Sequence, residues 1–252
     1  MLEHFKGEEV FVKKVLDYID QANYHQRLIL TPFYNPYYQS IVHSLIGKNE
    51  DIQCLSFGGF LNSESQRMII APSFYEIEES DFEVVVAKII YAKNFEKLGH
   101  RDILGALMSL GIKRELFGDI VEKDNDFYMA VDRTIYDYLK DHLNMIKRSK
   151  VKFQLCLEKI EVNNQYLIKS FIVSSFRLDK IVSSFYKISR QKAAELIRAG
   201  HVKVNHKPVE QINYLCNNRD IISFKGHGRV MFVDCNKQTR SDNYVVEGYF
   251  YK

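Results

Sequence analysis

The chain has 252 residues, of which 46% are hydrophobic, 27% charged and 13% aromatic, with four prolines and twelve glycines. That length carries one large domain or two to three small ones, and so few prolines and glycines exclude a low-complexity chain or a long disordered linker. No apolar run approaches the roughly 18 residues of a membrane span, and the mixed, acidic opening Met1-Leu2-Glu3-His4-Phe5-Lys6-Gly7-Glu8-Glu9 lacks the basic-then-apolar order of a secretory signal. Cys54, Cys156, Cys216 and Cys235 are scattered, without the close Cys or His spacing of a zinc site. They read as buried, reduced thiols, so a cytoplasmic chain with no metal, no cofactor and no membrane partner is expected. The net charge of +3 is unevenly placed. Between Ser175 and Val230 eleven cations stand against four acids, a net +7, while the remaining 24 cations and 28 acids give −4. A basic C-terminal module on a mildly acidic body is the charge pattern of a polyanion-binding part on a carrier.

In chain order, Phe11, Val15, Tyr18, Ile19 and Ala22 stand at helical spacing and predict an amphipathic helix over residues 10–22. Residues 27–31 read as a short strand. Asn35 then caps a helix with Pro36 in its first position, and Tyr38, Ile41, Val42 and Leu45 form its apolar stripe. Residues 52–57 and 67–71 are apolar runs joined by the loop 58–66, which predicts two strands of a small sheet. The Tyr-rich segment 32–38 is open to reading as an interaction loop, although capping and packing suffice to explain it.

The middle of the chain predicts a strand over 82–91, a helix over 101–110 ended by Gly111, and a strand over 118–123. A turn at Asp124-Asn125-Asp126 leads to a returning strand over 127–131, then a helix over 133–145 and a strand over 151–157. The order βαββαβ is that of the ferredoxin-like split fold, also used by RNA-recognition-motif domains. The alternating Gly and aromatic pattern expected in the third strand of such a motif is absent from residues 126–131. Phe127 or Tyr128 could stack on a base, but core packing is the preferred reading.

The last unit begins near Ser175. Leu178, Ile181, Val182 and Phe185 predict one helix; Ser189 caps a second, with Ala193, Ala194 and Ile197 inward and Gly200 at its end. Residues 201–205 and 220–225 alternate polar and apolar, as half-buried strands do, and 226–229 form a flexible turn. The fold class is therefore α+β: an N-terminal α/β unit (1–75), a central ferredoxin-like, RNA-recognition-motif-like βαββαβ domain (76–165) and a small C-terminal domain (175–252).

Arg190, Lys192 and Arg198 on the second helix, followed by Lys203 and Lys207, line cations along one surface, and phosphate is their natural partner. Gly200 and Gly226 allow close approach of a backbone or sugar. Four segments, Phe176-Arg177-Leu178-Asp179-Lys180-Ile181, Ser189-Arg190-Gln191-Lys192-Ala193, Ile197-Arg198-Ala199-Gly200-His201-Val202-Lys203-Val204-Asn205 and Asn218-Arg219-Asp220-Ile221-Ile222, resemble the small RNA-binding domain named after ribosomal small-subunit protein four. Asn218 departs from that pattern, standing where a glycine is usual; the turn is expected to survive because Asn tolerates left-handed geometry. The run from Leu98 to Glu115, with Phe117-Gly118-Asp119-Ile120, Thr31-Pro32-Phe33, Asn35-Pro36 and Gly58-Gly59, resembles the bacterial YlmH proteins.

These resemblances imply RNA contacts at Arg177, Asp179, Lys180, Ser189, Arg190, Lys192, Arg198, Lys203, Asn205, Lys207, Lys225 and Arg229, with Asp179 read as orienting a neighbouring cation. A second contact at His100, Arg101, Lys113 and Arg114 is a further expectation. The implied role is a non-enzymatic factor of ribosome-associated quality control. Its implied partners are the rRNA of the large ribosomal subunit, tRNA or peptidyl-tRNA, and other quality-control factors. The family's position beside division genes leaves a division-related scaffold as an alternative.

An RNA-modifying enzyme of pseudouridine-synthase type is the other alternative, although no enzymatic reading finds its full set of residues here. His100-Arg101-Asp102 matches a kinase catalytic loop, but no Gly-rich phosphate loop or Asp-Phe-Gly accompanies it, and Asp102 suits a helix start. The same C-terminal module is fused to pseudouridine synthases, yet Arg177-Leu178-Asp179 lies inside the module itself and no second catalytic domain is visible. Tyrosyl-tRNA synthetases also carry the module, and no nucleotide-binding signature is present.

Overall fold

A computed structural model of the chain describes Phe5 and residues 7–94, 96–162 and 164–251. Residues 1–4 and 6, part of the opening read for a secretory signal, lie outside the described residues. The chain divides into two compact units, Met1–Val162 and Asn163–Lys252. The class is α+β, with six α-helices and three antiparallel sheets among the described residues. None of these helices is long and apolar enough to cross a membrane.

The first unit opens with helix α1 (Glu9–His25), strand β1 (Ile29–Leu30), helix α2 (Pro36–Ile46) and strands β2 (Ile52–Phe57) and β3 (Arg67–Pro72). The Asn35 side chain accepts from the Tyr38 amide at 3.1 Å and so starts α2 as its sequence foretells. The three strands run in the order β1-β3-β2, and Val15, Ala22, Val42, Met68 and Ile70 bury the two helices against them.

A second sheet follows, from β4 (Val84–Tyr91), helix α3 (His100–Ser109), β5 (Phe117–Lys123), β6 (Asp126–Asp132), helix α4 (Arg133–His142), β7 (Met145–Ile146) and β8 (Ser149–Leu155). Its order, β5-β6-β4-β8-β7, places the two inner strands of the predicted βαββαβ pattern at its centre. The β5–β6 turn holds Asp124 and Asn125 at φ of 53° and 61°, left-handed geometry that Asp and Asn tolerate. Val85, Ala87, Ile89, Met129 and Val131 face the helices and pack on Ile103, Leu107 and Leu139. The helix predicted over 133–145 stops at His142. Lys147 turns left-handed at φ 52°, pairing Met145 with Lys150 and Ile146 with Ser149, which buries Ile146.

The opposite face of this sheet is covered by the first part of the same unit. Val86, Tyr128 and Ala130 pack against Phe33, Phe60 and Ile160. The approach is close: a Cβ on Gly59 (φ 84°) would lie 3.0 to 3.2 Å from Val84, Val86 and Ala130, and one on Gly118 would lie 2.8 Å from the Phe33 ring. Polar groups lock the same seam. Arg67 donates to Asp132 at 2.7 Å and to the Thr31 carbonyl at 2.9 Å. Asp132 also caps α4, accepting from the Thr134 amide at 2.8 Å. Both partners of the ion pair are buried.

The second unit runs β9 (Tyr166–Val173), helix α5 (Leu178–Tyr186), helix α6 (Arg190–Arg198), β10 (Val202–Val204), β11 (Lys207–Pro208), β12 (Ile221–Phe224), β13 (Gly228–Gln238) and β14 (Tyr244–Tyr251). These strands form one six-stranded sheet, β11-β10-β12-β13-β14-β9. Both helices pack on one face through Leu178, Ile181, Val182, Phe185, Ala193 and Ile197, meeting Val202, Ile222, Phe224, Val230, Phe232 and Val246. The sheet is larger than the short one predicted, because β9 precedes the expected start at Ser175 and β13 and β14 form a long hairpin.

Removing one member of a buried ion pair leaves the other charge uncompensated, at a cost of about 3–5 kcal/mol. Asp132→Ala should therefore lower the stability of the first unit, read from urea unfolding, by an amount of that order, with the second unit unaffected; a change below about 1 kcal/mol would show that the pair does not hold the seam.

Candidate nucleic-acid interface

In the second unit, Asp179 lies in the first turn of α5 and is 2% exposed. A buried carboxylate needs partners, and this one has two. Arg177 donates through Nε at 3.0 Å and Nη2 at 3.2 Å, and Arg190, at the start of α6, donates through Nε at 2.7 Å. Burial alone would raise the Asp179 carboxyl; the bonds from Arg177 and Arg190 outweigh it and hold the group below the usual carboxylate range. The Arg177 side chain is 32% exposed and that of Arg190 56%, so each guanidinium is anchored on one side and open to solvent on the other. Asp179 is thus enclosed against the two arginines, the arrangement of a carboxylate that orients cations.

Around this clamp, Ser189 accepts from the Lys192 amide at 3.1 Å and caps α6. Lys180 donates to Ser174, and Lys192 pairs with Glu195 at 3.3 Å. Among the described residues, no carboxylate forms an ion pair with Arg198, Lys203 or Lys225. The expected single basic surface is divided. Val202 and Val204 point to the helices, so Lys203 between them points to the far face of the sheet, in register with Ser223 and, beyond it, Arg229. Lys207, opposite Val204, stays on the helix side at the sheet edge.

Asn205 is also structural. It donates to Asp220 at 2.8 Å and accepts from the Ile221 amide at 2.9 Å, while Asn205 and His206, both at positive φ, turn β10 into β11. The left-handed residue expected at Asn218 is instead Arg219, at φ 70°; the Asn218 side chain accepts from the Asp234 amide. The turn's strain thus falls one residue later than the motif suggests. Gly200, at φ 71°, ends α6 in the left-handed region that favours glycine.

The second set of cations does not form one patch. His100 and Arg101 are exposed at the start of α3, and Lys113 follows its end, about 15 Å along a ten-residue helix. The Arg114 guanidinium lies 4.7 Å over the Phe117 ring and donates to the Phe117 and Gly118 carbonyls, which holds it against the start of β5. Asp102 accepts from the Gly99 amide at 2.8 Å and pairs with Lys147 at 2.6 Å, whose hydrogen bond holds the carboxyl below its usual range. Phe127 and Tyr128 are 2% and 9% exposed. The face on which an RNA-recognition motif stacks bases is closed here by Phe33, Phe60 and Ile160. Phe33 and Tyr34 of the Tyr-rich segment are likewise buried.

No group of His, Cys, Asp and Glu suited to a metal occurs among the described residues. The four cysteines are unpaired; Cys216 is buried and the others are half-buried, and burial pushes the Cys54 and Cys216 thiols up to about 12. Sequence reasoning missed Tyr166, Tyr249 and Tyr251, which join Arg229 on the far face of the second sheet.

Two helices with a cationic rim, held by a buried carboxylate on an antiparallel sheet, define a small polyanion-binding module. The family model described as "S4 domain" matches residues 176–222, "YlmH, N-terminal" matches 7–75 and "Putative RNA-binding domain in YlmH" matches 78–163. The chain is 33% identical to the "Ribosome-associated protein quality control protein P2" of Bacillus subtilis (strain 168) over 251 residues, 97% of this chain and 96% of that protein. The solved structure "Cell division protein ylmH from Streptococcus pneumoniae" is 31% identical, with a TM-score of 0.54 over 62% of this chain and 96% of that one. The chain belongs to the YlmH family.

A carboxyl held low in the folded state contributes stability above its unfolded pKa of about 3.9 and loses it as pH falls through the lower folded value. Stability of the second unit should therefore fall below about pH 4, and Asp179→Asn should flatten that fall while lowering stability at neutral pH. Parallel acid-dependent losses in both proteins, read by urea midpoints across pH, would contradict the clamp.

Proposed function

We propose that this chain is a cytoplasmic, non-enzymatic RNA-binding factor of ribosome-associated quality control, one that binds rRNA of the large ribosomal subunit and peptidyl-tRNA. The observation that carries the reading is the clamp: Asp179 holds Arg177 and Arg190 in fixed directions beside the Ser189 helix start, with Arg198 further along the same helix. Pre-set guanidinium groups suit phosphate, which they meet bidentately and with little loss of side-chain freedom on binding. The Bacillus subtilis relative, named for quality control at the ribosome, supports the cellular setting. The exposed His100, Arg101 and Lys113 add a second contact in this reading, and other quality-control factors are the remaining partners. The name of the Streptococcus pneumoniae structure favours one other reading, a division-related scaffold whose basic module is an anchor.

Co-sedimentation with purified large subunits, with and without peptidyl-tRNA, tests the proposal. The wild type should prefer the tRNA-bearing subunit, and Arg190→Ala with Arg198→Ala should abolish binding while the protein stays folded. Each lost phosphate contact should reduce the slope of log affinity against log salt by about one. Binding that survives with the same salt slope would overturn the assignment of these arginines. An rRNA modification missing from a deletion strain, found by mass spectrometry, would overturn the non-enzymatic reading in favour of a pseudouridine-synthase-like enzyme.

A further inference from the structure

The S4 match ends at residue 222, yet the sheet continues through β13, β14 and β9. Register places one row of side chains across the far face, away from α5 and α6. Tyr166 stands opposite Tyr251, Arg229 lies beside Tyr251, Ser223 opposite Arg229 and Lys203 opposite Ser223. The row spans four inter-strand steps, about 19 Å at a strand spacing near 4.8 Å. Its aromatic end is ordered: the Tyr166 and Tyr251 rings meet edge-on with centroids 5.0 Å apart, and Tyr166 meets Tyr249 at 5.7 Å. The Arg229 guanidinium lies 4.2 Å from the Tyr251 ring centroid. The neighbouring row holds Ile168, Tyr249, Met231 and Ile221, with Ile168 51% exposed.

A largely half-buried aromatic and apolar face of this kind, with Ile168 and Lys203 exposed on it, fits several partners; charge selects among them. The Tyr166–Lys203 row carries two cations and no acid, and the nearest acid on the face, Glu247, lies two rows away opposite Val233 and Ser170. Aromatic rings beside planar and point cations suit a chain that offers bases and phosphates together. Paired bases in a duplex keep their faces stacked on one another, so such rings engage unpaired nucleotides.

We infer that the far face of the six-stranded sheet is a second RNA site, in which Tyr166 and Tyr251 stack on unpaired bases while Arg229 and Lys203 meet the adjoining phosphates. The inference rests on the RNA-binding reading above and adds a single-stranded ligand class and a surface separate from the Asp179 clamp.

The test uses the full chain and a fluorescent, unstructured oligouridine, with large subunits bound in parallel. Tyr166→Leu and Tyr251→Leu keep apolar bulk on the strands and should each weaken oligouridine binding about tenfold. Arg229→Lys, which keeps charge but loses the planar stack, should weaken it with an unchanged salt slope, and Lys203→Ala should lower the slope by about one. Crosslinks from 4-thiouridine should map to Tyr166, Tyr249 or Tyr251. If the chain binds subunits but not oligouridine, or if oligouridine binding falls with Arg190→Ala and Arg198→Ala and is indifferent to the tyrosines, the second site is overturned and the first reading stands. If the wild type binds neither RNA, both fall together. Far-face variants that bind oligouridine normally while losing a protein partner would overturn RNA as the occupant.

Discussion

The second unit is organised around one buried carboxylate. Asp179 sits almost wholly out of water, a place where an unpaired charge costs several kcal/mol, and it is tolerable there because Arg177 and Arg190 donate to both of its oxygens. The same bonds do two things at once. They tie the first turn of α5 to the start of α6, fixing the angle between the helices, and they fix the direction in which two guanidinium groups leave the surface. An arginine free in solvent loses about 2 kcal/mol of side-chain freedom when it is pinned by a ligand; one pinned in advance loses less. The cost of an ordered cationic edge is therefore met during folding rather than during binding.

The first unit is organised by a comparable constraint. Its two sheets are joined through a seam in which Gly59 and Gly118 bring backbone against apolar side chains and the Arg67–Asp132 pair is enclosed. The consequence for function is negative but informative. A fold that resembles an RNA-recognition motif has its customary base-stacking face occupied by its own N-terminal part, so any RNA contact by this unit falls to its other surfaces. His100 and Arg101 lie on one of them.

Much of this was legible in the chain. The capped helices at Asn35 and Ser189, the Asp124-Asn125 turn and the apolar stripes of α5 and α6 each carry a local signal that the packing agrees with, and the family resemblance named the S4 segments residue by residue. What escaped notice depends on tertiary neighbours. β9 shows no two-residue alternation, because Ile168 and Ile172 are apolar on the exposed face while Phe171 and Val173 are apolar on the buried one. The end of α4 was set by the pairing of Ile146 with Ser149, not by a breaker in the helix. The division of cations between two faces follows from the parity of Lys203 in β10, which a count of charges cannot see. Asn205 belongs to a motif whose residues imply RNA contact, and its hydrogen bonds close the turn from β10 to β11; Asp179, already read as orienting a neighbouring cation, is buried against Arg177 and Arg190.

The central claim is that Asp179 acts on RNA only through the arginines it holds. A double-mutant cycle on RNA affinity tests it most directly, combining Asp179→Asn with Arg177→Ala and Arg190→Ala. The account predicts that Asp179→Asn weakens binding in the wild-type background and has no further effect once both arginines are gone. Independent, additive losses would contradict it and give Asp179 a contact of its own.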